Sequence, residues 1–468
     1  MSWANTHDGR AVAGGVWTPY QFTLFFVPLL TVVAGLIRCW LWRARVPPGT
    51  RVPPMPPASS IRGHAEVLAF GFHRKKAMEW AKQLGPVIRL KWNFADIVVL
   101  NDFKSVKQFM NTKQILDRSH CFLLKREYYS GVGSVNGETW VANRKFCLGM
   151  LRDLGFAKTA MEDNMMDEFS HLEKRIGNTK GAPINVQEYI QPCALNNIAS
   201  FVYGKRLPID HPERHQLQRL VAKLYWPLLK GPIQLFLPPI VRRILEHLPF
   251  TRLGQVNACM KELEKFNDST KQENAPNASS VSTLLSPTDS PRKRHHGMVR
   301  TPHVYWNLLV NANNPDTIQA RVQKEIDDVV GSERSPTWED RKRMPFTLAC
   351  IWEVDRWKTG SPLGVARECS EDVVIGEFFI PKGTTVLPNL WAVHNDPTFW
   401  KDPEKFDPAR FLNEDGSIVS PKPEQLLPFS IGRRSCPGEM FALMEVFLMT
   451  TFLLQKYASV PDRDVKIN

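Results

Sequence analysis

A single cysteine held between glycines constrains this chain more than any other feature. In PFSIGRRSCPGE, Pro428 to Glu439, Cys436 follows Gly432, Arg433 and Arg434 and precedes Gly438, just ahead of an apolar run. The glycines permit close backbone approach and unusual dihedrals. Arg434 is a fixed cation near the sulfur and favours the thiolate, the form that binds metal. Such a cysteine can be a metal ligand or a structural residue. The other seven, Cys39, Cys121, Cys147, Cys193, Cys259, Cys350 and Cys369, are scattered, with no C-x-x-C pair. That spacing argues against a zinc site and a disulfide-stapled secreted domain, and it fits a reducing compartment.

Tyr20 to Trp42 reads YQFTLFFVPLLTVVAGLIRCWLW, with one charge, Arg38, near its end. About 20 apolar residues span a bilayer as a helix. A cleaved signal peptide would carry its cations before the apolar run. Here Arg38, Arg43, Arg45 and Arg51 gather at its end and beyond, so the positive-inside bias leaves the bulk of the chain in the cytosol. In VPPGTRVPPMPP, Val46 to Pro57, six of twelve residues are proline, which excludes helix and predicts a stiff extended spacer. The expected organisation is a membrane anchor over 1–45, a Pro-rich hinge over 46–60 and one large domain over 61–468. The formal charge of +13, from 60 basic and 47 acidic side chains, suits an acidic partner or an anionic membrane.

Within the large domain, helical and extended patterns alternate. Val87 to Asp102 reads as a hairpin turning around Asn93–Asp96. Thr159–Ile176, His215–Leu229 and Thr317–Val330 read as helices, and Phe378–Asn389 as short strands around a Pro-Lys-Gly turn. The predicted class is mainly α with small β-sheets. Asn267 to His303, rich in Ser, Pro, Asn and Thr and ending in PRKRHH, predicts irregular chain.

Phe429, Gly432, Arg434, Cys436 and Gly438 complete the string F-x-x-G-x-R-x-C-x-G. It resembles the haem-ligand signature of cytochromes P450. Three further features resemble the same family, in its order. Trp140 and Arg144 form W-x-x-x-R on one helix face, the pair that in the family addresses a haem propionate. Glu353 and Arg356 form E-x-x-R, and Arg410 in FDPARF would complete the family's Glu-Arg-Arg structural cluster. Arg367, in SPLGVARE, falls where many relatives carry a propionate-binding histidine or arginine. The alternative for each arginine is a surface or fold-stabilising ion pair.

The resemblance covers Ile61 to about Tyr457 and is similar in phrasing to the animal microsomal drug- and steroid-metabolising clan. It implies a helical P450-like fold and haem b with Cys436 as iron ligand. Trp140, Arg144, Arg367, Phe429, Gly432, Arg434 and Gly438 would be cofactor contacts. It also implies an endoplasmic reticulum membrane location with the haem domain facing the cytosol. The implied partners are an NADPH–cytochrome P450 reductase and small lipophilic substrates; nucleic acid is not among them. The implied activity is that of a haem-thiolate monooxygenase.

Two departures stand against this. The family's acid–alcohol pair, Ala/Gly-Gly-x-Asp/Glu-Thr, supplies a positioned proton relay, and no such string precedes Glu353. Its place falls near Arg300, so the central oxygen-activating helix reads as disrupted. Thr301 is a candidate for the alcohol on position alone, and Asp316-Thr317 reads as the start of the next helix. The chain also ends at Asn468, before most of the family's last small sheet. A peroxide-rearranging enzyme and a catalytically impaired haem-binding paralogue therefore remain open beside the monooxygenase.

Overall fold

A computed structural model of the chain describes residues 29–30, 33, 46–59, 63–64, 72–92, 95–118, 132–153, 159–203, 207–229, 239–273 and 315–458. It is mainly helical with small sheets. In chain order the elements are α1 (Phe72–Leu84), β1 (Val87–Trp92), β2 (Ala95–Leu100), α2 (Phe103–Asn111), α3 (Gly137–Asp153), α4 (Thr159–Gly177) and α5 (Val186–Tyr203). Then come α6 (Pro212–Leu229), α7 (Pro239–His247), α8 (Arg252–Glu273), α9 (Pro315–Val329) and α10 (Pro345–Trp357). The last are β3 (Arg367–Glu368), β4 (Thr385–Pro388), α11 (Leu390–His394) and α12 (Glu439–Lys456). Two compact units emerge. The larger comprises Pro53–Ile375 and Ile380–Asn468. In the smaller, Arg51 pairs with Glu377 at 2.7 Å and its carbonyl accepts from Phe379 N at 2.9 Å.

The helix α12 organises the core of the larger unit. EMFALMEVFLMTTFLLQK is apolar on nearly every face, the pattern of a helix surrounded by protein. Its Met444, Phe447, Met449 and Phe452 are buried against α4, α5, α9 and α10. Phe452 meets Phe169 of α4 in a tilted contact at 6.0 Å, and Phe447 meets Trp338 edge-on at 5.7 Å. The first amides of α10 find their acceptor on another helix. Glu325 of α9 accepts from Phe346 N at 2.9 Å and Thr347 N at 2.8 Å, placing an anion at that helix's positive end.

The hairpin is antiparallel from Val87↔Leu100 to Trp92↔Ala95. β2 then pairs in parallel with β4, Ile97↔Thr385 to Leu100↔Pro388, and β3 closes the order β1-β2-β4-β3. Ala77 and Trp80 of α1 cover Ile88, Leu90, Ile97 and Val99.

One expectation is corrected. The chain does not turn irregular at Asn267, because α8 continues to Glu273. Leu263 and Phe266 are buried and anchor its last turns, and the Lys, Gln and Glu that follow are good helix formers. Residues 274–314 lie outside the described residues. The proline segment is non-helical over residues 52–58, and part of it bonds to the large unit. The Pro54 carbonyl accepts from Arg89 N at 2.8 Å, and His64 Nε2 lies 2.9 Å from the Pro56 carbonyl. Proline removes a donor but leaves its carbonyl free to accept. Among the described residues, no helix is long and apolar enough to cross a membrane. The predicted anchor segment lies outside them apart from Leu29, Leu30 and Val33, which are helical and exposed.

One buried acid in this core makes stability depend on pH. Glu445 of α12 accepts from Asn197 Nδ2 of α5 at 2.8 Å. Burial pushes its carboxyl up to about 8, with Asn197 opposing and Glu168 adding to the rise. Between the ordinary carboxyl range and about 8, the folded chain holds a proton that the unfolded chain releases. Stability therefore falls as pH rises through that window. Glu445→Gln is expected to flatten the pH dependence of the thermal midpoint between about pH 5 and 8 and to stabilise the fold at pH 8. Parallel melting curves for the two proteins would show that Glu445 does not titrate there.

Candidate cofactor site at the cysteine loop

The site is built on a fully buried ion pair. Glu353 and Arg356, one turn apart on α10, are both wholly enclosed. Arg356 donates from Nε and Nη2 to the two carboxylate oxygens, each at 2.7 Å. Glu353 Oε1 also accepts from Arg410 Nε at 3.2 Å and from Asp407 N at 2.8 Å. Arg356 Nη1 reaches the His394 carbonyl at 2.9 Å. Every oxygen and most donors are thus matched, which a buried ion pair requires.

Above this base runs the loop Leu427–Gly438. The Leu427 carbonyl accepts from Ser430 N at 3.1 Å, and the Phe429 carbonyl accepts from Cys436 N at 3.0 Å. Gly432 has φ +78°, and a Cβ there would lie 2.4 Å from the Met110 carbonyl oxygen, so only glycine fits. Cys436 is exposed, whereas Cys147, Cys193, Cys259, Cys350 and Cys369 are buried. A Cβ at Gly438 would sit 3.9 Å from the Cys436 sulfur, so glycine leaves room beside it.

Arginines gather around the loop that carries the sulfur. Arg434 is buried and donates to the carbonyls of Leu116 at 2.8 Å, Val132 at 3.2 Å and Val135 at 2.7 Å. Its guanidinium lies 4.1 Å from the centre of the Trp140 ring. Arg367 on β3 donates to the carbonyls of Met110 at 2.6 Å and Ile431 at 2.8 Å, tying the loop to the end of α2. Arg144 on α3 is half-buried, with no hydrogen bond or ion pair among the described residues. Burial pulls Arg434 down to about 9; Asp117 opposes this while Arg367 and Arg144 add to it. Burial, then Arg144, lowers Arg367 to about 10. Burial lowers Arg144 too, with Cys436 and Cys147 opposing. The Trp140 indole N–H is buried without a hydrogen-bond partner among the described residues. An unmatched donor and mutually repelling cations beside an accessible sulfur form a site for a ligand with carboxylates and a thiophilic centre.

The sequence profile of cytochrome P450 matches residues 53–292 and 301–468. The chain belongs to the cytochrome P450 family. It is 30% identical to cytochrome P450 2D27 of Mesocricetus auratus over 96% of this chain and 94% of that one. It is 30% identical to cytochrome P450 2U1 of Bos taurus, over 94% and 89%. It is 31% identical to vitamin D(3) 25-hydroxylase of Sus scrofa, over 94% and 92%. Cytochromes P450 use haem b, and the family's chemistry is that of oxidoreductases of the monooxygenase kind.

The residues present fit that cofactor. Its two carboxylates would suit the arginines and the Trp140 N–H, and its iron would suit the Cys436 thiol. Trp140, Arg144, Arg367, Phe429, Gly432, Arg434, Cys436 and Gly438 all belong to this one region. Thr301, the candidate alcohol, lies outside the described residues. One member escaped the sequence analysis. Arg118 is buried and donates from Nε to the Gly133 carbonyl at 3.1 Å. Burial lowers its pKa well below the arginine range, and Arg434, Arg367 and Arg144 lower it further. It stands in LDRSH with no periodic pattern or motif around it, so only the fold shows what it faces.

Two outcomes are expected. Glu353→Ala strands the Arg356 cation in the core and should cost about 3–5 kcal/mol. Arg410→Ala should cost less, because Arg356 still pairs with the carboxylate. Equal thermal midpoints for the two variants would show that the pair is not the base of this site. Arg144→Ala should leave the ligand-free melting temperature near wild type and lower haem retention about ten- to a hundredfold, for ~1.5–3 kcal/mol of charge-assisted bonding. Arg434→Ala should lower both, since that side chain also holds three carbonyls. Wild-type haem occupancy in both variants would remove the carboxylate-binding role.

Proposed function

We propose that the chain is a membrane-anchored haem-thiolate monooxygenase. It would insert one oxygen atom of dioxygen into small lipophilic substrates, using electrons from an NADPH–cytochrome P450 reductase. The observation that supports this most is the exposed Cys436 sulfur, set in its glycine loop beside converging arginines and an unmatched Trp140 N–H. Cys436 would hold the iron of a bound haem b, which would supply oxygen chemistry that thiolate ligation favours.

The chain's own residues do the binding and orienting. Cys436 presents its sulfur from a loop whose amide is held by the Phe429 carbonyl. Arg144 and Arg434 would pair the cofactor's carboxylates, which the planar guanidinium suits. Arg367 holds the loop against α2 through Met110 and Ile431 and adds positive charge. Glu353, Arg356 and Arg410 fix the base beneath.

The apolar run Tyr20–Trp42 is the anchor in the endoplasmic reticulum membrane, and the basic flank keeps the haem domain in the cytosol. The exposed apolar side chains of Leu29, Leu30 and Val33 suit a lipid environment. The basic balance of the chain suits an acidic reductase. The similarity to a vitamin D(3) 25-hydroxylase supports a lipophilic substrate. Proton supply is the weak link, because no acid–alcohol string precedes Glu353.

The test pairs a reduced carbon monoxide difference spectrum with turnover by NADPH and reductase over a panel of lipophilic compounds. A thiolate-type band is expected in the wild type and its loss in Cys436→His. NADPH consumption should exceed product, the remainder appearing as peroxide, since positioned acid–base groups contribute roughly 10²–10⁴-fold. A thiolate band surviving in Cys436→His would remove the ligand assignment. Tight coupling would place a working relay within residues 274–314. Peroxide-driven turnover without NADPH would replace the monooxygenase with a peroxide-rearranging enzyme.

A further inference from the structure

His394 is fully buried at the end of α11, and every face of it that can hydrogen-bond is used. Its Nε2 accepts from Leu427 N at 2.8 Å, so the ring proton resides on Nδ1. Nδ1 lies 2.7 Å from Thr359 Oγ, which donates onward to the Arg356 carbonyl at 3.1 Å. The His394 carbonyl in turn accepts from Arg356 Nη1 at 2.9 Å. The ring is therefore a strut with the Glu353–Arg356 pair at one end and Leu427 at the other.

Leu427 is where the cysteine loop begins. Its carbonyl closes the turn to Ser430, and inside that turn the Phe429 carbonyl holds the Cys436 amide. A displacement of Leu427 therefore passes through two hydrogen bonds to the backbone that carries the sulfur.

We propose that His394 is a positioning residue that sets the place of the Cys436 sulfur through an accepting Nε2. The proposal rests on the haem-thiolate reading for its consequence and on hydrogen-bond geometry for its cause. The ring must stay neutral with Nδ1 protonated. A side chain offering no acceptor at the Nε2 position lets the Leu427–Ser430 turn drift and the thiolate bond weaken, although the Arg356 bond to the main-chain carbonyl of residue 394 remains.

Glutamine and asparagine separate the two ring nitrogens. In His394→Gln the amide oxygen reaches the Nε2 position, whereas in His394→Asn the shorter side chain reaches only the Nδ1 position toward Thr359. Three readouts apply. Nuclear magnetic resonance of isotope-labelled histidine in the ligand-free wild type should show the Nδ1–H tautomer. Hydrogen exchange at the Leu427 amide should speed up about tenfold in His394→Asn, the effect of one lost hydrogen bond, and little in His394→Gln. In haem-loaded protein, His394→Asn should lose thiolate-type carbon monoxide band in favour of the band of haem without its thiolate, and His394→Gln should retain it.

An Nε2–H tautomer, or unchanged Leu427 exchange in His394→Asn, would overturn the proposal. So would equal loss of the thiolate band in both variants. Should neither variant fold, the wild-type tautomer decides. If the wild type itself shows no thiolate band, the haem-thiolate reading fails, while tautomer and exchange still decide whether His394 holds the loop.

Discussion

The ion pair between Glu353 and Arg356 is the constraint on which the site depends. Both side chains are wholly enclosed. Taking an ion out of water costs several kcal/mol, and the pair's own attraction repays that only when geometry and extra hydrogen bonds are good. Here Glu353 collects Arg410 and the Asp407 amide, and Arg356 collects the carbonyls of His394 and Lys405. These partners come from two further stretches of chain, at residue 394 and over residues 405–410. Each is fixed because leaving would strand a buried charge. A polar network satisfied in this way rigidifies and selects one arrangement.

Rigidity at that base matters because the cysteine loop has little of its own. Leu427–Gly438 carries no regular ladder, and its glycines give backbone freedom. Beyond its few internal turns, bonds from outside tie it to the rest of the fold. Leu427 meets His394, Ile431 meets Arg367, and Arg434 reaches back to Leu116, Val132 and Val135. Gly432 packs so closely on Met110 that no side chain could stand there. Cys436 is exposed near the end of a loop tied down on both sides.

Much of this was legible in the sequence, and what was not has a common cause. The hairpin was legible because VIRLKW and ADIVVL are short β-rich runs close together in sequence. Helices α4, α6 and α9 were legible from their apolar spacing. The residues around Cys436 and the Glu353–Arg356 spacing were legible as motifs, though a motif names residues without showing what each one touches. The parallel pairing of Ile97 with Thr385 was not legible, because strand partners distant in sequence leave no local periodicity. Arg118, His394 and Glu325 were missed for the same reason. Each acts by what the fold brings to it: carbonyls from other loops, the Leu427 amide and the start of α10. The length of α8 was missed because polar composition was weighed above the buried Leu263 and Phe266 that hold its end.

The arginines show why these two kinds of information must be joined. Arg434 and Arg367 each spend their donors on carbonyls that fix the cysteine loop, and each is pulled down by burial and by the other cations. The fold thus holds like charges together in a place where they repel. A ligand carrying two carboxylates relieves that repulsion, so its binding stabilises the folded chain as well as itself. The side chains that would meet the carboxylates are also the ones that place the sulfur. Cofactor retention and thiolate geometry therefore cannot be tuned separately at Arg434 or Arg367. They can be at Arg144, which faces the site from α3 and holds none of the loop's carbonyls among the described residues.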